Sequence, residues 1–178
     1  MNKNRKLVFI STYLCLALVL DYIKAFIPFL NMPSGGSINI ALLPIVIASF
    51  DLGVIDGMII GILWWLVSSV LGLNNMFISI SQYVVDYVLP SGIIGVCAIF
   101  YKKKNLFEIE TGILLMMIIR TGLLVISGAY FWPGSLASGS KAAFIFSLGY
   151  NLPYCLFTYI MLAIVSPIII KRITKHVL

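Results

Sequence analysis

Long apolar runs separated by short polar segments limit how this chain can fold more than any other feature. A helix needs roughly 20 apolar residues to cross a bilayer, and six runs fall at 7–28, 38–50, 54–72, 77–100, 112–132 and 142–170. Of the 178 residues, 61% are hydrophobic and 10% are charged, whereas soluble domains carry about 25% charged residues. The sequence therefore predicts an all-α membrane protein with six transmembrane helices, a single domain over residues 1–178 that is multi-pass in the cell membrane.

Two of the runs depart from the length of a simple span. The run at 38–50 is short, so its helix is expected to be tilted or to begin in the preceding loop. The run at 142–170 is longer than a bilayer requires and contains Pro153 and Pro167. Because proline removes a backbone donor and clashes with the preceding turn, a kinked or broken helix is expected there.

The basic residues predict the orientation of the chain, since Lys and Arg in short flanks favour the cytoplasmic side. Placing both termini in the cytoplasm puts nine basic residues inside, against Lys24 and Lys141 outside. The nine are Lys3, Arg5, Lys6, Lys102, Lys103, Lys104, Lys171, Arg172 and Lys175. We therefore expect both termini to be cytoplasmic, and we attribute the net charge of +6 to topology, not to nucleic-acid binding.

Small residues recur at helical spacing in two of the runs. Gly53, Gly57 and Gly61 are four residues apart and favour close helix packing within the chain. Ser11 and Cys15 form a similar pair on the first helix. A small-residue face on a terminal helix suits packing inside the subunit or contact with another protein, and the residues alone do not separate these alternatives.

Signatures of catalysis and of metal binding are missing from the predicted spans. The one histidine, His176, lies in the basic C-terminal tail, and the cysteines lack metal-ligand spacing. We expect no catalytic residues, no metal site and no cofactor. A membrane-embedded enzyme would need a nucleophile or a carboxylate cluster, and a self-sufficient secondary transporter would favour internal repeats. Both alternatives are disfavoured by the sequence.

Two ionisable residues, Asp86 and Arg120, lie well inside predicted spans. Charge at mid-membrane is costly, about 2.5–3.5 kcal/mol per residue on insertion scales, so such residues are functional candidates by default. Asp86 lies in the outer half of the fourth helix and is the candidate ligand-binding carboxylate. The alternative is a structural ion pair between Asp86 and Arg120.

Aromatic and amide side chains accompany Asp86 in the neighbouring runs. Tyr87 adjoins it, and Trp132 ends the fifth run. In the sixth run one helix face carries Phe146, Tyr150 and Tyr154, with Ser147 and Asn151 beside it. Such stripes are often packing or interfacial belts. A carboxylate, an amide and several rings together also suit a flat, cationic, heteroaromatic ligand.

Five groups of residues follow one another along the chain in an order that is informative as a whole. They are Gly35-Gly36-Ser37-Ile38-Asn39-Ile40-Ala41-Leu42-Leu43-Pro44-Ile45, Gly53, Ser81-Gln82 to Asp86-Tyr87, Arg120 through Ser127-Gly128 to Phe131-Trp132, and Phe146-Ser147 to Tyr150-Asn151. In this order they resemble the thiamine-specific S components of energy-coupling factor transporters. The resemblance covers almost the whole chain.

This resemblance implies a six-helix protein that captures thiamine from outside and works with a transmembrane coupling subunit and two ATPase subunits. By matching position, Asp86 is expected to contact the cationic vitamin and Trp132 to stack on it. Ser11 and Cys15 would dock the coupling subunit. The remaining expected substrate-binding positions are Tyr87, Arg120, Leu124, Gly128, Phe146, Tyr150 and Asn151.

Three positions depart from the family pattern. Leu124 stands where a histidine is common, Phe146 where a tyrosine is common, and Gly35 or Asn39 where some members have a tryptophan or an acidic residue. These changes remove stacking and hydrogen-bonding groups. A thiamine precursor or another heteroaromatic vitamin is therefore an alternative ligand.

Overall fold

The computed structural model describes residues 2–32, 36–73, 76–102 and 105–177, with side chains through Ile173. These residues form six main helices, one short 3₁₀ helix at Pro28–Leu30 and a single β-bridge between Asn31 and Ser37. The main helices are α1 Lys3–Lys24, α2 Leu42–Leu52, α3 Val54–Val70, α4 Ile80–Ala98, α5 Leu106–Phe131 and α6 Lys141–Val177. The predicted all-helical class is confirmed.

Four of these helices, α1, α4, α5 and α6, are long and apolar enough to cross a membrane. The other two, α2 and α3, are shorter apolar helices. The first turn of α2 comes later than the apolar run suggests, because Asn39 holds the preceding backbone. Its Oδ1 accepts from the Ala41 N–H at 3.2 Å, and its own N–H donates to Thr158 Oγ1 on α6 at 3.1 Å.

The three glycines that were predicted to form one packing stripe have two different roles. Gly53 separates α2 from α3 with φ at 109°, a left-handed conformation that side chains disfavour, so it lies outside the helix that we expected it to line. Gly57 and Gly61 do pack within the chain. A Cβ at Gly57 would collide with Ser49, and one at Gly61 would collide with the Ser91 carbonyl.

Three kinds of helical turn follow one another in α4. Ser79 caps its start by accepting from the Gln82 N–H at 3.1 Å, so the helix begins three residues after the start of the apolar run. A π segment occupies Val84–Val88, and the Leu89 N–H bonds to the Val84 carbonyl. Because Pro90 has no N–H to reach the Asp86 carbonyl four residues back, the wider turn occurs at Asp86. A 3₁₀ segment, Ile93–Ala98, completes the helix.

The last two helices are longer than the apolar runs that predicted them. Asn105 caps α5 by accepting from the Glu108 N–H at 2.8 Å, which starts the helix at Leu106. Helix α6 is continuous through Pro153 and Pro167, so the predicted break is absent. A proline removes only one backbone bond, and the flanking turns of α6 continue the helix.

The helices pack in an order that places α4 at the centre of the bundle. The 3₁₀ segment of α4 contacts α2, α3 and α5, and α5 packs along α6. The apolar core includes Leu42, Ile45, Ile60, Ile94, Ile109, Ile113, Met116 and Leu162, all fully buried.

Two polar links hold α1 against α3. Lys6 pairs with the buried Asp56 of α3 at 2.9 Å, near the beginning of α1. Near its other end, the buried Asp21 pairs with Lys24 at 2.7 Å and accepts from Ser68 Oγ of α3 at 2.9 Å. A buried carboxylate is costly unless it is paired, and both of these are.

Candidate functional site

A cavity of about 310 Å³ lies near the end of the bundle where α5 ends and α6 begins. We call it the Trp132 cavity. Its lining residues are Met76, Asp86, Tyr87, Leu124, Gly128, Trp132, Phe146, Ser147, Tyr150, Asn151 and Tyr154. The structure therefore brings together eight of the predicted substrate-binding residues, from α4, α5 and α6.

Asp86 is held by two donors from different directions. Both Trp132 Nε1, at 3.1 Å, and Gln82 Nε2, at 3.0 Å, donate to its Oδ2. The carboxylate lies in the π segment of α4, and π segments inside α-helices are frequent at functional sites. The result is a carboxylate at the cavity wall with one oxygen fixed by two hydrogen bonds.

Trp132 was expected to act as a stacking ring, and its indole has a second role. The residue caps the end of α5, where the helix gives way to the next loop. The indole N–H is committed to Asp86, which fixes the orientation of the ring at the cavity wall. A fixed aromatic ring loses little entropy when a flat ligand stacks on it.

Arg120 lines a second cavity of about 290 Å³, which also contains Lys24, Asn39, Ser91 and Thr158. We call it the Arg120 cavity. It shares Asp86, Tyr87, Leu124, Tyr150 and Tyr154 with the Trp132 cavity, so the two adjoin. Arg120 thus does not line the Trp132 cavity, but it shares the adjoining cavity with four of the predicted residues, Asp86, Tyr87, Leu124 and Tyr150.

No ion pair joins Asp86 and Arg120, both of which lie in the described part of the chain. Arg120 Nη1 donates instead to the Pro90 carbonyl of α4, while Asp86 accepts from Gln82 and Trp132. The alternative of a structural ion pair is therefore wrong. The physical reason is that each group has neutral partners closer than the other charge.

The ring of Tyr87 belongs to an aromatic cluster that the sequence did not identify. Tyr87 stacks on Trp65, with centroids 5.6 Å apart and an interplanar angle of 11°, and Tyr83 meets Trp65 edge-on at 4.4 Å. Trp64 and Trp65 of α3 are buried and line the Arg120 cavity. The available signal was a tryptophan pair in mid-run, away from the interfaces where tryptophan is usually enriched.

Side chains on α6 link that helix to α5 beside the cavity. Ser147 Oγ donates to the Val125 carbonyl at 2.8 Å. Asn151 Nδ2 donates to the Ser147 carbonyl at 2.9 Å, and its Oδ1 accepts from the Tyr154 hydroxyl. A side chain at Gly128 would collide with Ser147 Oγ. Gly128 therefore permits the close approach of α5 and α6, while Asn151 is held in place by its neighbours.

The other predicted residues of α6 and the described residues that depart from the family pattern lie at different positions around the two cavities. Phe146 and Tyr150 line the Trp132 cavity and are 53% and 38% exposed, so both rings remain accessible. Leu124 lines both cavities, and Asn39 lines the Arg120 cavity. Gly35 lies outside the described residues.

Ser11 and Cys15 lie away from both cavities, on the exposed face of α1. With Leu7, Val8, Thr12 and Leu16 they line a shallow groove on that helix. Ser11 Oγ donates to the Leu7 carbonyl at 3.0 Å, so its polar group is satisfied within the helix. The groove therefore presents an apolar surface with small side chains along its floor.

Comparisons with known proteins identify the family and the fold of the chain. Residues 7–178 match the profile of the family described as thiamine transporter protein (Thia_YuaJ). The chain is 32% identical to the thiamine transporter ThiT of Bacillus subtilis (strain 168) over 180 residues, covering 93% of this chain and 91% of that one. A solved structure of ThiT from Listeria monocytogenes shares the fold, with a TM-score of 0.79 at 23% identity and 98% of each chain covered.

A membrane-type helical bundle, a profile match over almost its whole length and a relative above 30% identity thus lead to one conclusion: this chain belongs to the thiamine transporter protein family, whose members are transporters and not enzymes.

Proposed function

We propose that this chain is the substrate-binding component of an energy-coupling factor transporter, which captures thiamine from outside the cell and delivers it inward with an ATP-driven module. The observation that carries the proposal is the Trp132 cavity, where Asp86 is fixed beside Trp132, Tyr150 and Asn151. The relatives named as thiamine transporters support thiamine as the ligand.

The charge of Asp86 favours a cationic ligand. Among the described residues its hydrogen-bond donors are neutral, and both reach the same oxygen. A carboxylate in a low-dielectric setting favours a cationic partner, and a bound thiamine, with its cationic thiazolium ring, is the candidate. The aromatic rings of Trp132, Phe146 and Tyr150 suit stacking and cation–π contact with its two heterocycles.

The same proposal includes six membrane crossings with both termini in the cytoplasm. The distribution of basic residues supports this orientation. Helix α2 has only 11 residues, but the segment before it bonds to α6 through Asn39. Non-helical backbone at membrane depth is tolerated where it is buried in protein or lines a cavity. In this orientation the Trp132 cavity lies toward the outside, in the cell membrane.

Uptake then requires other chains. We expect a transmembrane coupling subunit and two ATPase subunits, as the resemblance to the family implies. The groove on α1 with Ser11 and Cys15 is the proposed docking face, because its small side chains allow a partner helix to approach closely. The complex purified from native membranes is therefore expected to contain ATPase subunits. Uptake by this chain alone in vesicles would favour a secondary transporter.

Ligand-induced quenching of tryptophan fluorescence tests the ligand assignment. The chain has three tryptophans: Trp132 lines the Trp132 cavity, and Trp64 and Trp65 line the Arg120 cavity. A bound heterocycle is therefore expected to quench tryptophan fluorescence. We expect saturable quenching by thiamine at lower concentration than by thiamine precursors or other heteroaromatic vitamins. Quenching by one of those ligands at a lower concentration than thiamine would identify that compound as the ligand instead. No response to thiamine would remove it from the proposal.

A further inference from the structure

Gln82 is a buried amide whose side chain joins the candidate carboxylate to a loop. It lies one turn before Asp86 on α4 and is fully buried. Its Nε2 donates to Asp86 Oδ2 at 3.0 Å and to the Met76 carbonyl at 3.4 Å, and its Oε1 accepts from the Ile78 N–H at 3.3 Å. One side chain therefore contacts both Asp86 and the residues that precede α4.

The chemistry of its partners fixes the orientation of this amide. The Ile78 N–H can only donate, so it must face Oε1. A carbonyl and a carboxylate can only accept, so Met76 and Asp86 must face the NH₂ group. Rotating the amide by half a turn would break all three bonds. Gln82 thus has one allowed orientation, and both of its donor hydrogens are used.

The loop that Gln82 holds also contributes to the Trp132 cavity. Residues 76–79, which we call the 76–79 segment, supply Met76 to the cavity wall and Ser79 as the cap of α4. Met76, Phe77 and Ile78 are otherwise exposed, at 63%, 63% and 55%. Phe77 meets the Tyr83 ring edge-on at 5.5 Å between centroids, and the exposed side chains leave the segment little other apolar burial, so its order depends largely on its hydrogen bonds.

We infer that Gln82 is a positioning residue that couples the occupancy of Asp86 to the order of the 76–79 segment. With Trp132, it keeps Asp86 Oδ2 turned toward the protein, and through Ile78 and Met76 it holds the segment beside the cavity. A cation at Asp86 fixes the carboxylate, which in turn holds Gln82 and the segment. The ligand in this inference rests on the proposed function, whereas the link between Gln82 and the segment does not.

Hydrogen–deuterium exchange across residues 76–79 tests the link without any ligand. Gln82→Met keeps the length of the side chain and removes its polar atoms, and Asp86→Ala removes the main acceptor of Nε2. We expect exchange in the segment to become faster in both variants, by on the order of tenfold for the lost hydrogen bond to a charged group. Asn151→Leu is the control, because Asn151 lines the same cavity and has no bond to the segment. An exchange rate across residues 76–79 of Gln82→Met equal to that of the native protein would overturn the inference.

A second arm of the experiment adds thiamine. In the native protein we expect thiamine to slow exchange in the 76–79 segment. Trp132→Phe, which keeps Gln82 intact, should retain this slowing at saturating thiamine, whereas Gln82→Met should lose it. Equal slowing in Gln82→Met at saturation would overturn the coupling. If the native protein binds no thiamine, the proposed function fails, and the ligand-free comparison still decides whether Gln82 holds the segment.

Discussion

The indole N–H of Trp132, at the end of α5, donates a 3.1 Å hydrogen bond to the carboxylate of Asp86 in the middle of α4. This bond joins two residues 46 positions apart and fixes an aromatic ring beside Asp86, the one acidic side chain that lines the Trp132 cavity among the residues that the structure describes. The ring and the charge are therefore held in one geometry by this bond, and substitutions can separate their contributions.

Substituting Trp132 tests the ring. Trp132→Ala is expected to weaken thiamine binding by about 1–3 kcal/mol, through loss of stacking and of the donor to Asp86. Trp132→Phe keeps a ring and removes the donor, so its loss should be smaller. Titration calorimetry measures both affinities. Unchanged affinity in Trp132→Ala would place this ring outside the binding site.

Asp86→Asn tests the charge. The change keeps the shape of the side chain, and we expect it to weaken binding of cationic thiamine by about 2–5 kcal/mol. The affinity for a neutral isostere of thiamine should fall much less in this variant. Because Arg120 bonds to Pro90 and not to Asp86, Arg120→Leu should not restore binding to Asp86→Asn. Equal losses for the two ligands would contradict a role for the charge.

Leu124→His tests the identity of the ligand. Leu124 lines both cavities, and histidine at this position adds a polar group that is common in the family. If thiamine is the ligand, its dissociation constant should fall in this variant. Leu124→Phe is a control for side-chain size, and no gain from histidine would favour a different heteroaromatic ligand.

Ser11→Trp tests the docking face on α1. Ser11 is exposed and far from both cavities, so a bulky side chain should block a partner helix and leave the ligand site intact. We expect loss of thiamine uptake in cells with unchanged binding by the purified protein. Comparable loss of both would indicate a role in folding instead.

Glycine packing offers a stability test with a matched control. A Cβ at Gly57 would collide with Ser49 Oγ and reach the Gly95 Cα at 3.0 Å, whereas a Cβ at Gly122 would have no neighbour within 4 Å. Gly57→Ala should therefore destabilise the protein by about 1–3 kcal/mol, as overpacking commonly does. Gly122→Ala should be neutral or stabilising. Thermal melting in detergent compares the two, and similar melting temperatures would contradict the packing argument.

The sequence predicted the helices well where hydrophobic run length alone determines them. Helix α3, Val54–Val70, begins where the apolar run at 54–72 begins and ends two residues before the run does, because an uninterrupted apolar segment favours continuous helix in a bilayer. The prediction failed where one polar group determines the first residue of a helix. Asn39 makes α2 begin later than its apolar run, and Asn105 makes α5 begin earlier than its run. A local capping bond of this kind does not alter the average hydropathy, so a pattern of apolar residues cannot reveal it.

At the candidate site, the sequence identified residues that the fold brings together but not the bonds between them. Asp86, Trp132 and Asn151 stood out because charge, indole and amide groups are rare in apolar spans. The hydrogen bonds between them could not be predicted, since the bond from Trp132 to Asp86 depends on the packing of α5 against α4. The sequence did not predict a role for Trp64 and Trp65, because aromatic residues in an apolar run are equally typical of packing. On α3 these two residues line the Arg120 cavity, whereas Gly57 and Gly61 pack against neighbouring helices.

The links from α1 to α3 have a mechanical consequence. Lys6–Asp56 and Asp21–Ser68 join the two helices near both ends of α1, so we expect α1 and α3 to move together. Helix α1 presents Ser11 and Cys15 on its exposed face, and α3 carries Trp64 and Trp65, which line the Arg120 cavity. A displacement of α1 by a partner at that face is therefore expected to shift the two tryptophans at the cavity wall.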